Sequence, residues 1–316
     1  MSYKCIVCEA EQYVKAYAIQ DVSFGTEGSW DYVNCKSCHH GSIFPIPDSE
    51  ALRTLYETLY AAEKGDEMIK IGKSRFDVWL QKRRAKMLSD SVEKPPERIL
   101  DAGCGMGFSL KTLSEQFETA HCLGVELSPH AAEYARSLGG IEVQQVDFHS
   151  VEHAEYDVIT FNHIIEHLSD PNDTLAYAQS LLAHDGRVLI EVPTSTGWAL
   201  SVWKSFWWCH LPPQHLHLFS PEGLEQLMNR HGFEKCAMAS AAYPMPFTMG
   251  WIVFVRAKWG SFSPYKDQMW VRLCAFLGGL FVLPFMCLLD LILSPLLNRW
   301  KGDIVTMVFK KKVNAC

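Results

Sequence analysis

Residues 98–108 (Arg98-Ile99-Leu100-Asp101-Ala102-Gly103-Cys104-Gly105-Met106-Gly107-Phe108) restrict the possible folds more than any other stretch of this 316-residue chain. A short apolar run leads into three glycines at alternate positions, and a helical pattern starts directly after them. Glycine accepts the left-handed backbone that such a turn requires and lets the main chain approach a ligand closely. Short β-branched runs then alternate with helical stretches, at 98–100, 122–126, 141–146, 156–161 and 187–192. That alternation predicts a doubly wound α/β domain with a mostly parallel sheet. The glycine spacing bears on the ligand. A nicotinamide loop reads Gly-x-Gly-x-x-Gly and faces a diphosphate. Here it reads Gly-x-Gly-x-Gly and Asp101 closes the strand, a carboxylate that repels a diphosphate and suits an ammonium or sulfonium group.

Two further acids fit the same ligand. Glu126 ends the second strand, where a carboxylate can accept both hydroxyls of a ribose, and Ser128-Pro129 supplies a cap and first turn for the next helix. Asp147 ends the third strand, in reach of the exocyclic amine of an adenine, with Phe148 beside it. The segments DAGCGMG (101–107), GVELSP (124–129), VDF (146–148) and YDVITFNHIIEHLSDP (156–171) resemble, in order and spacing, the motifs of class I S-adenosylmethionine-dependent methyltransferases. The resemblance covers roughly residues 95–240 and a last strand near 303–309. It implies a Rossmann-like seven-stranded sheet with one antiparallel strand. It also implies S-adenosylmethionine bound by Asp101, Gly103, Cys104, Gly105, Gly107, Glu126, Leu127, Asp147, Phe148 and Asn162. A ligand-free βα turn and a dehydrogenase are the competing readings, and the acids that follow disfavour both.

His163-Ile164-Ile165-Glu166-His167 has the letters of an HxxEH zinc-protease signature, but Asp170-Pro171 interrupts within a turn of His167, where the protease needs a long helix. A local helix would put His163, Glu166 and His167 on one face at the carboxyl end of a strand, where open α/β sheets bind ligands. EH before a DP turn is similar to the ubiquinone-biosynthesis O-methyltransferases. His163 stands where some of those carry the first Glu of a metal set, which argues against a metal there. Methyl transfer to a hydroxyl is helped by positioning and by a base. Glu166, His167, His215 and His217 are the catalytic candidates, and the last two precede a capped helix at Ser220-Pro221 in a segment that resembles the border of the acceptor pocket. A purely structural role for each His weighs equally. His39, His40, His184 and His231 are assigned to structure or solvent.

Cys5, Cys8, Cys35 and Cys38 form two C-x2-C pairs, the pattern of a tetrahedral structural zinc site, with redox pairs or unligated thiols as alternatives. A 47-residue segment with few large apolar residues needs such a staple to fold. It resembles the zinc-ribbon front end of bacterial methyltransferases of sugar and cell-surface pathways. The other seven of eleven cysteines read as buried thiols. Domain boundaries follow: a zinc-ribbon-like module at 1–47, connecting helices at 48–92 and a methyltransferase domain at 93–316. Helical spacing within 49–62 (Leu52, Leu55, Tyr56, Leu59, Tyr60) and 74–90 (Phe76, Trp79, Leu80, Met87) predicts the connecting helices.

Mean hydropathy is −0.03, which taken alone excludes a membrane protein. The average conceals residues 273–298, which hold one charge, Asp290, and eight of the ten tryptophans lie beyond residue 197. The run is long enough to span a bilayer, since about 20 apolar residues suffice. A final strand at 302–310 requires the chain to return, so an apolar helical insertion at about 258–300, bent at Pro284 into an interfacial hairpin, is expected. The basic flanks Arg256, Lys258, Lys266, Arg272, Arg299 and Lys301 suit anionic headgroups. A helical pair packed on protein is the alternative. The net charge of −7 excludes a nucleic-acid coat. With no basic, apolar leader at the start, the expected location is cytoplasmic, peripheral at the inner face of the cell membrane. The sequence therefore predicts a methyltransferase acting on a small-molecule, glycan or lipid-linked acceptor at a hydroxyl. The alternative is a non-catalytic, membrane-attached scaffold that binds S-adenosylmethionine.

Overall fold

The computed structural model describes every residue except 1–2, 23–25, 27, 48–49, 53, 56–64, 259–268, 270–276, 278–280, 298–301 and 313–316. Its strands are β1 (Tyr13–Ile19), β2 (Trp30–Cys35), β3 (Gly41–Phe44), β4 (Arg98–Ala102), β5 (His121–Val125) and β6 (Glu142–Gln144). They continue with β7 (Tyr156–Asn162), β8 (Leu182–Pro193), β9 (His217–Leu218), β10 (Phe233–Ala241) and β11 (Ile304–Lys311). The helices are α1 (Gly65–Gly72), α2 (Arg75–Ser91), α3 (Phe108–Gln116), α4 (Pro129–Ser137), α5 (Pro171–Leu181), α6 (Trp198–Trp203), α7 (Pro221–Arg230), α8 (Pro246–Lys258) and α9 (Leu283–Leu297). Two compact units interleave along the chain. The first takes Met1–Asp48, Pro193–Gly223 and Ser240–Val305, and the second takes Ser49–Val192, Leu224–Ala239 and Thr306–Cys316.

The second unit is built on a seven-stranded sheet of order β10-β11-β8-β7-β4-β5-β6, the α/β architecture expected from the sequence. β4 pairs in parallel with both β5 and β7, and β7 with β8. Strands buried on both faces need continuous apolar runs, and Ile99, Leu100, Ile159, Phe161, Leu189 and Val308 are all fully buried. The β4–β7 register sets Asp101 opposite Thr160 at the carboxyl ends of the strands.

Helix α2 starts at Ser74, whose side chain accepts from the Asp77 N–H. Its buried residues are Leu80, Gln81, Arg84, Ala85 and Leu88, whereas Trp79 is half exposed. Of the apolar stripe read from the sequence, Leu80 is buried and Met87 packs on the core, while Trp79 turns outward. Arg84 goes inside because a fully buried carboxylate, Glu191, meets its guanidinium. Of the helix predicted over 49–62, Tyr56, Leu59 and Tyr60 lie outside the described residues.

In the first unit β1, β2, β3 and β9 form a four-stranded sheet in that order. The pairing of Gly41 with Leu218 and of Ser42 with His217 brings a strand from far along the chain onto the cysteine-rich module. The module's sheet is therefore completed from outside residues 1–47.

Helices α8 and α9 also belong to this unit. Asp290, the lone charge of the 273–298 run, accepts from the backbone N–H groups of Phe247 and Thr248, both at 2.8 Å. It caps α8, which explains a buried acid in an apolar helix. Pro284 is the second residue of α9, and most of 259–280, including the first arm of the expected hairpin, lies outside the described residues. No helix among the described residues is long and apolar enough to cross a membrane.

Candidate functional site

The turn after β4 has the conformation that its glycines anticipate. Gly103, Gly105 and Gly107 lie at φ +66°, +53° and +78°, left-handed values that L side chains rarely adopt. Space differs among them. A Cβ on Gly107 would press on Ala135 at 2.8 Å, so this glycine lets α3 and α4 approach, and one on Gly103 would strike Ile164 at 2.3 Å. A Cβ on Gly105 would meet nothing within 4 Å, which leaves a cradle of bare main chain. The Cys104 side chain turns inward against Gly124, so this residue offers a ligand only its backbone.

Acids surround the turn. Asp101 is 1% exposed and accepts from Thr160 Oγ1 at 2.5 Å and Asn162 Nδ2 at 3.0 Å. Burial pushes its carboxyl up to about 6 against the pull of those two donors. Asn162 Oδ1 is buried and accepts no hydrogen bond among the described residues. Glu126 accepts from the Gly105 N–H at 2.9 Å and the Ser128 N–H at 2.8 Å, and burial raises its carboxyl. A carboxylate offers about four acceptor sites, so Glu126 keeps acceptor capacity beyond its backbone donors. Leu127 beside it is 65% exposed. Asp147 caps a short turn by accepting from the His149 N–H, and Phe148 packs edge-to-face on Phe161 and Tyr177.

Behind β7 lies a buried ion network that sequence reasoning missed. Glu191 contacts Arg84, lies 3.6 Å from Arg83 Nη2, and accepts from Thr306 Oγ1 at 2.6 Å. His163 stands between Glu166, at 3.2 Å, and Glu191, at 3.5 Å. Its backbone is left-handed, φ 56°, which for a non-glycine residue marks strain, and its N–H donates to the Glu191 carbonyl. Burial works to lower its imidazole, but the two carboxylates prevail and raise it to about 9. Burial likewise opposes charge on Glu191, yet Arg84 and His163 hold it down near 2. The anticipated helix at 163–167 is a short 3-10 turn, Ile165–His167. Glu166 is fully buried and His167 partly so.

The other two catalytic candidates belong to the first unit. His217 is 1% exposed on β9, its Nδ1 3.2 Å from His40 Nε2, which makes it part of that sheet's interior. His215 is 8% exposed, with Nδ1 2.6 Å from the Cys209 carbonyl oxygen. The same unit holds the four cysteines, whose sulfurs lie within 4.8 Å of one another. Cys5 to Cys38 and Cys8 to Cys35 are each 3.5 Å apart. The two C-x2-C segments are built alike. Glu9 and His39, each one residue after a second cysteine, are left-handed at φ 62° and 59° and donate their N–H groups to the carbonyls of Cys5 and Cys35.

Residues 73–237, more than half of the chain, match the model of the family described as "Methyltransferase domain". The chain belongs to this family. Its solved structural neighbours include the 1,6-didemethyltoxoflavin-N1-methyltransferase of Burkholderia thailandensis with bound S-adenosylhomocysteine. That match has TM-score 0.53 and 14% identity, over 92% of this chain and 98% of that one. The plantazolicin methyltransferase in complex with S-adenosylhomocysteine is a second, with TM-score 0.51 and 18% identity over 84% and 96% of the two chains. These likenesses establish the Rossmann-like methyltransferase fold. Among curated relatives, the ubiquinone biosynthesis O-methyltransferase of Salmonella paratyphi A is 28% identical over 129 residues, 38% of this chain and 53% of that protein. An uncharacterised 37.1 kDa transposon protein of Streptomyces fradiae is 30% identical over 117 residues, 35% of this chain and 34% of its own. The chain thus spans a third to a half of the length of these relatives.

Proposed function

We propose that the protein transfers a methyl group from S-adenosylmethionine to a hydroxyl of a small-molecule, glycan or lipid-linked acceptor. The carrying observation is the Gly103–Gly107 turn, with open space above Gly105 and one unsatisfied acceptor, Asn162 Oδ1, among the assigned cofactor residues. Asp101 and Asn162 Oδ1 suit an ammonium, and Glu126 retains lone pairs for ribose hydroxyls. Asp147 and Phe148 would border the adenine, with Leu127 exposed over it. The bound cofactor supplies an electrophilic methyl. The chain's own residues orient the partners and remove the acceptor's proton, a task assigned to His167, with His215 as the second candidate base. Glu166, buried against His163, acts by holding that segment.

Calorimetry with S-adenosylhomocysteine should show binding that Asp101→Ala weakens by about 10- to 100-fold, the value of a charge-assisted hydrogen bond. Labelled S-adenosylmethionine, incubated with the protein and membrane extracts, should label an acceptor, and His167→Ala should slow that labelling. Undiminished affinity in Asp101→Ala would overturn the cofactor assignment. Binding without any transfer would favour the scaffold.

The acceptor is assigned to a membrane surface on the strength of α8 and α9. Met249 and Ile252 on α8, and Phe285, Leu288, Leu291 and Ile292 on α9, are exposed apolar side chains, with Arg256 and Lys258 in the last turn of α8. Such a face with a basic flank suits an interfacial anchor on anionic lipid. The protein should float with anionic vesicles, and Phe285→Glu with Leu288→Glu should reduce the bound fraction at least tenfold while S-adenosylhomocysteine still binds. Wild-type protein that stays out of the vesicle fraction at every salt concentration would sink the anchor. The four cysteines are assigned a structural zinc.

A further inference from the structure

The first unit carries a cavity of about 500 Å³, open to solvent, that none of the residues assigned to methyl transfer lines. Tyr17 and Asn34 line it from β1 and β2, and Ser195, Ser201, Lys204 and Ser205 from the segment after β8. Three serine hydroxyls, two tyrosines, an amide and an ammonium contribute, and no carboxylate lines the space. The Lys204 ammonium makes no ion pair with any described residue, although this chain is acidic overall. A lone cation among neutral donors is suited to an anion with several acceptor oxygens.

The backbone is arranged to present that lysine. Lys204 lies at φ 48°, ψ −117°, a conformation that only glycine adopts without strain. Three hydrogen bonds hold it there. Its N–H donates to the Leu200 carbonyl, and its own carbonyl accepts from the Trp207 N–H at 3.0 Å and from His210 Nε2 at 3.0 Å. His210 is buried, packs against Tyr17 and Tyr32, and lies 3.1 Å from the Tyr17 hydroxyl. Burial keeps its imidazole neutral, down to about 3, so it remains a fixed donor. Tyr17 and Tyr32 stack at 5.2 Å and stiffen the opposite wall.

We propose that this cavity binds the phosphate of a phosphorylated ligand, with Lys204 as the charge partner and Asn34 and the serine hydroxyls as donors to the remaining oxygens. The volume admits a sugar phosphate and falls in the ordinary range of small-molecule sites. None of the lining residues is among those assigned to the cofactor or named as a base, so the proposal does not rest on the methyl-transfer reading.

A soluble sugar phosphate and a lipid headgroup share this chemistry, and two arms separate them. In the first, the full-length protein is titrated calorimetrically with glucose 1-phosphate and with glucose. In the second, it is sedimented with phosphatidylglycerol vesicles. Binding of glucose 1-phosphate but not glucose, weakened at least tenfold in Lys204→Ala and kept within about threefold in Lys204→Arg, assigns a soluble ligand. The same Lys204 dependence seen only with vesicles assigns a headgroup. Lys204→Gly keeps the fold testable, because it relieves the left-handed strain: its melting temperature should rise while phosphate binding is lost. S-adenosylhomocysteine affinity should be unchanged in all three variants, which separates failure here from failure of the cofactor assignment. Glucose binding equal to that of its phosphate, affinities independent of Lys204, or no saturable binding in either arm would each overturn the proposal.

Discussion

Glu191→Ala should destabilise the second unit by about 3–5 kcal/mol, the cost of breaking a buried ion pair from one side. Glu191 is fully buried, and its carboxylate answers Arg84, Arg83, the Thr306 hydroxyl and the His163 imidazole together. Removing it leaves Arg84, only 10% exposed in its side chain, with an uncompensated charge and strips His163 of one of its two carboxylate partners. Urea unfolding of wild type and variant measures the loss. Its pH dependence follows from the sign of each shift. His163 is raised from 6.5 to about 9, so its contribution is complete below pH 6.5 and disappears as pH rises through 9. Glu191 is lowered from 4.5 to about 2, so its contribution is complete above pH 4.5 and disappears as pH falls toward 2. The difference between the two proteins should therefore be greatest between pH 4.5 and 6.5 and shrink on both sides. A difference that stays level from pH 4 to 9.5 would show that the network does not carry the energy assigned to it. Lost stability should leave the Asp101–Thr160 contact in place, so S-adenosylhomocysteine still binds to the folded fraction.

The contrast between this network and the glycine turn shows which parts of the molecule the sequence reveals. Gly103, Gly105 and Gly107 were legible because a positive φ is a local demand that one residue type meets. Asp101 and Glu126 could be located because each stands at the end of a short apolar run that reads as a strand. Glu191 sits inside such a run, and its partner Arg84, 107 positions away, looks like part of a solvated basic face until the helix is packed. Asp290 likewise reads as a blemish in an apolar segment, and its task, capping α8 at Phe247 and Thr248, depends on a neighbour some 40 residues earlier. His217 resembled a base by its position before a capped helix, whereas pairing of β9 with β3 sets it against His40. Strand pairing over such distances has no local signature. The Lys204 cavity was hidden for a similar cause, since its walls come from two distant segments and its strained lysine carries no glycine to announce it.

Loss of zinc should unfold the cysteine-rich sheet of the first unit. A tetrahedral site with Zn–S bonds of about 2.3 Å sets its sulfurs about 3.8 Å apart. The observed sulfurs fit that spacing, with nearest pairs at 3.5 Å and all four within 4.8 Å. A disulfide needs about 2.05 Å, a spacing that neither pair has. Each knuckle spends a left-handed non-glycine residue, Glu9 or His39, at the turn after its second cysteine, a cost that metal binding would offset. Structural zinc contributes about 10–16 kcal/mol in small peptides at neutral pH, more than a sheet of this size gains from its own core. Purified protein should contain one zinc per chain. Chelation, or Cys35→Ser, should abolish protection of the amides that join β2 to β3 and the Ile43 N–H that donates to the Leu216 carbonyl, as read by hydrogen exchange. Because thiolates bind the metal and thiols do not, zinc should also leave as the pH falls, with protection at Ile43 lost in step. The α/β sheet provides the internal control: the Cys104 N–H, which donates to the Val125 carbonyl, should stay protected throughout. Protein that carries no zinc, or that keeps the Ile43 amide protected after chelation, would show that the four thiols fold this sheet without a metal.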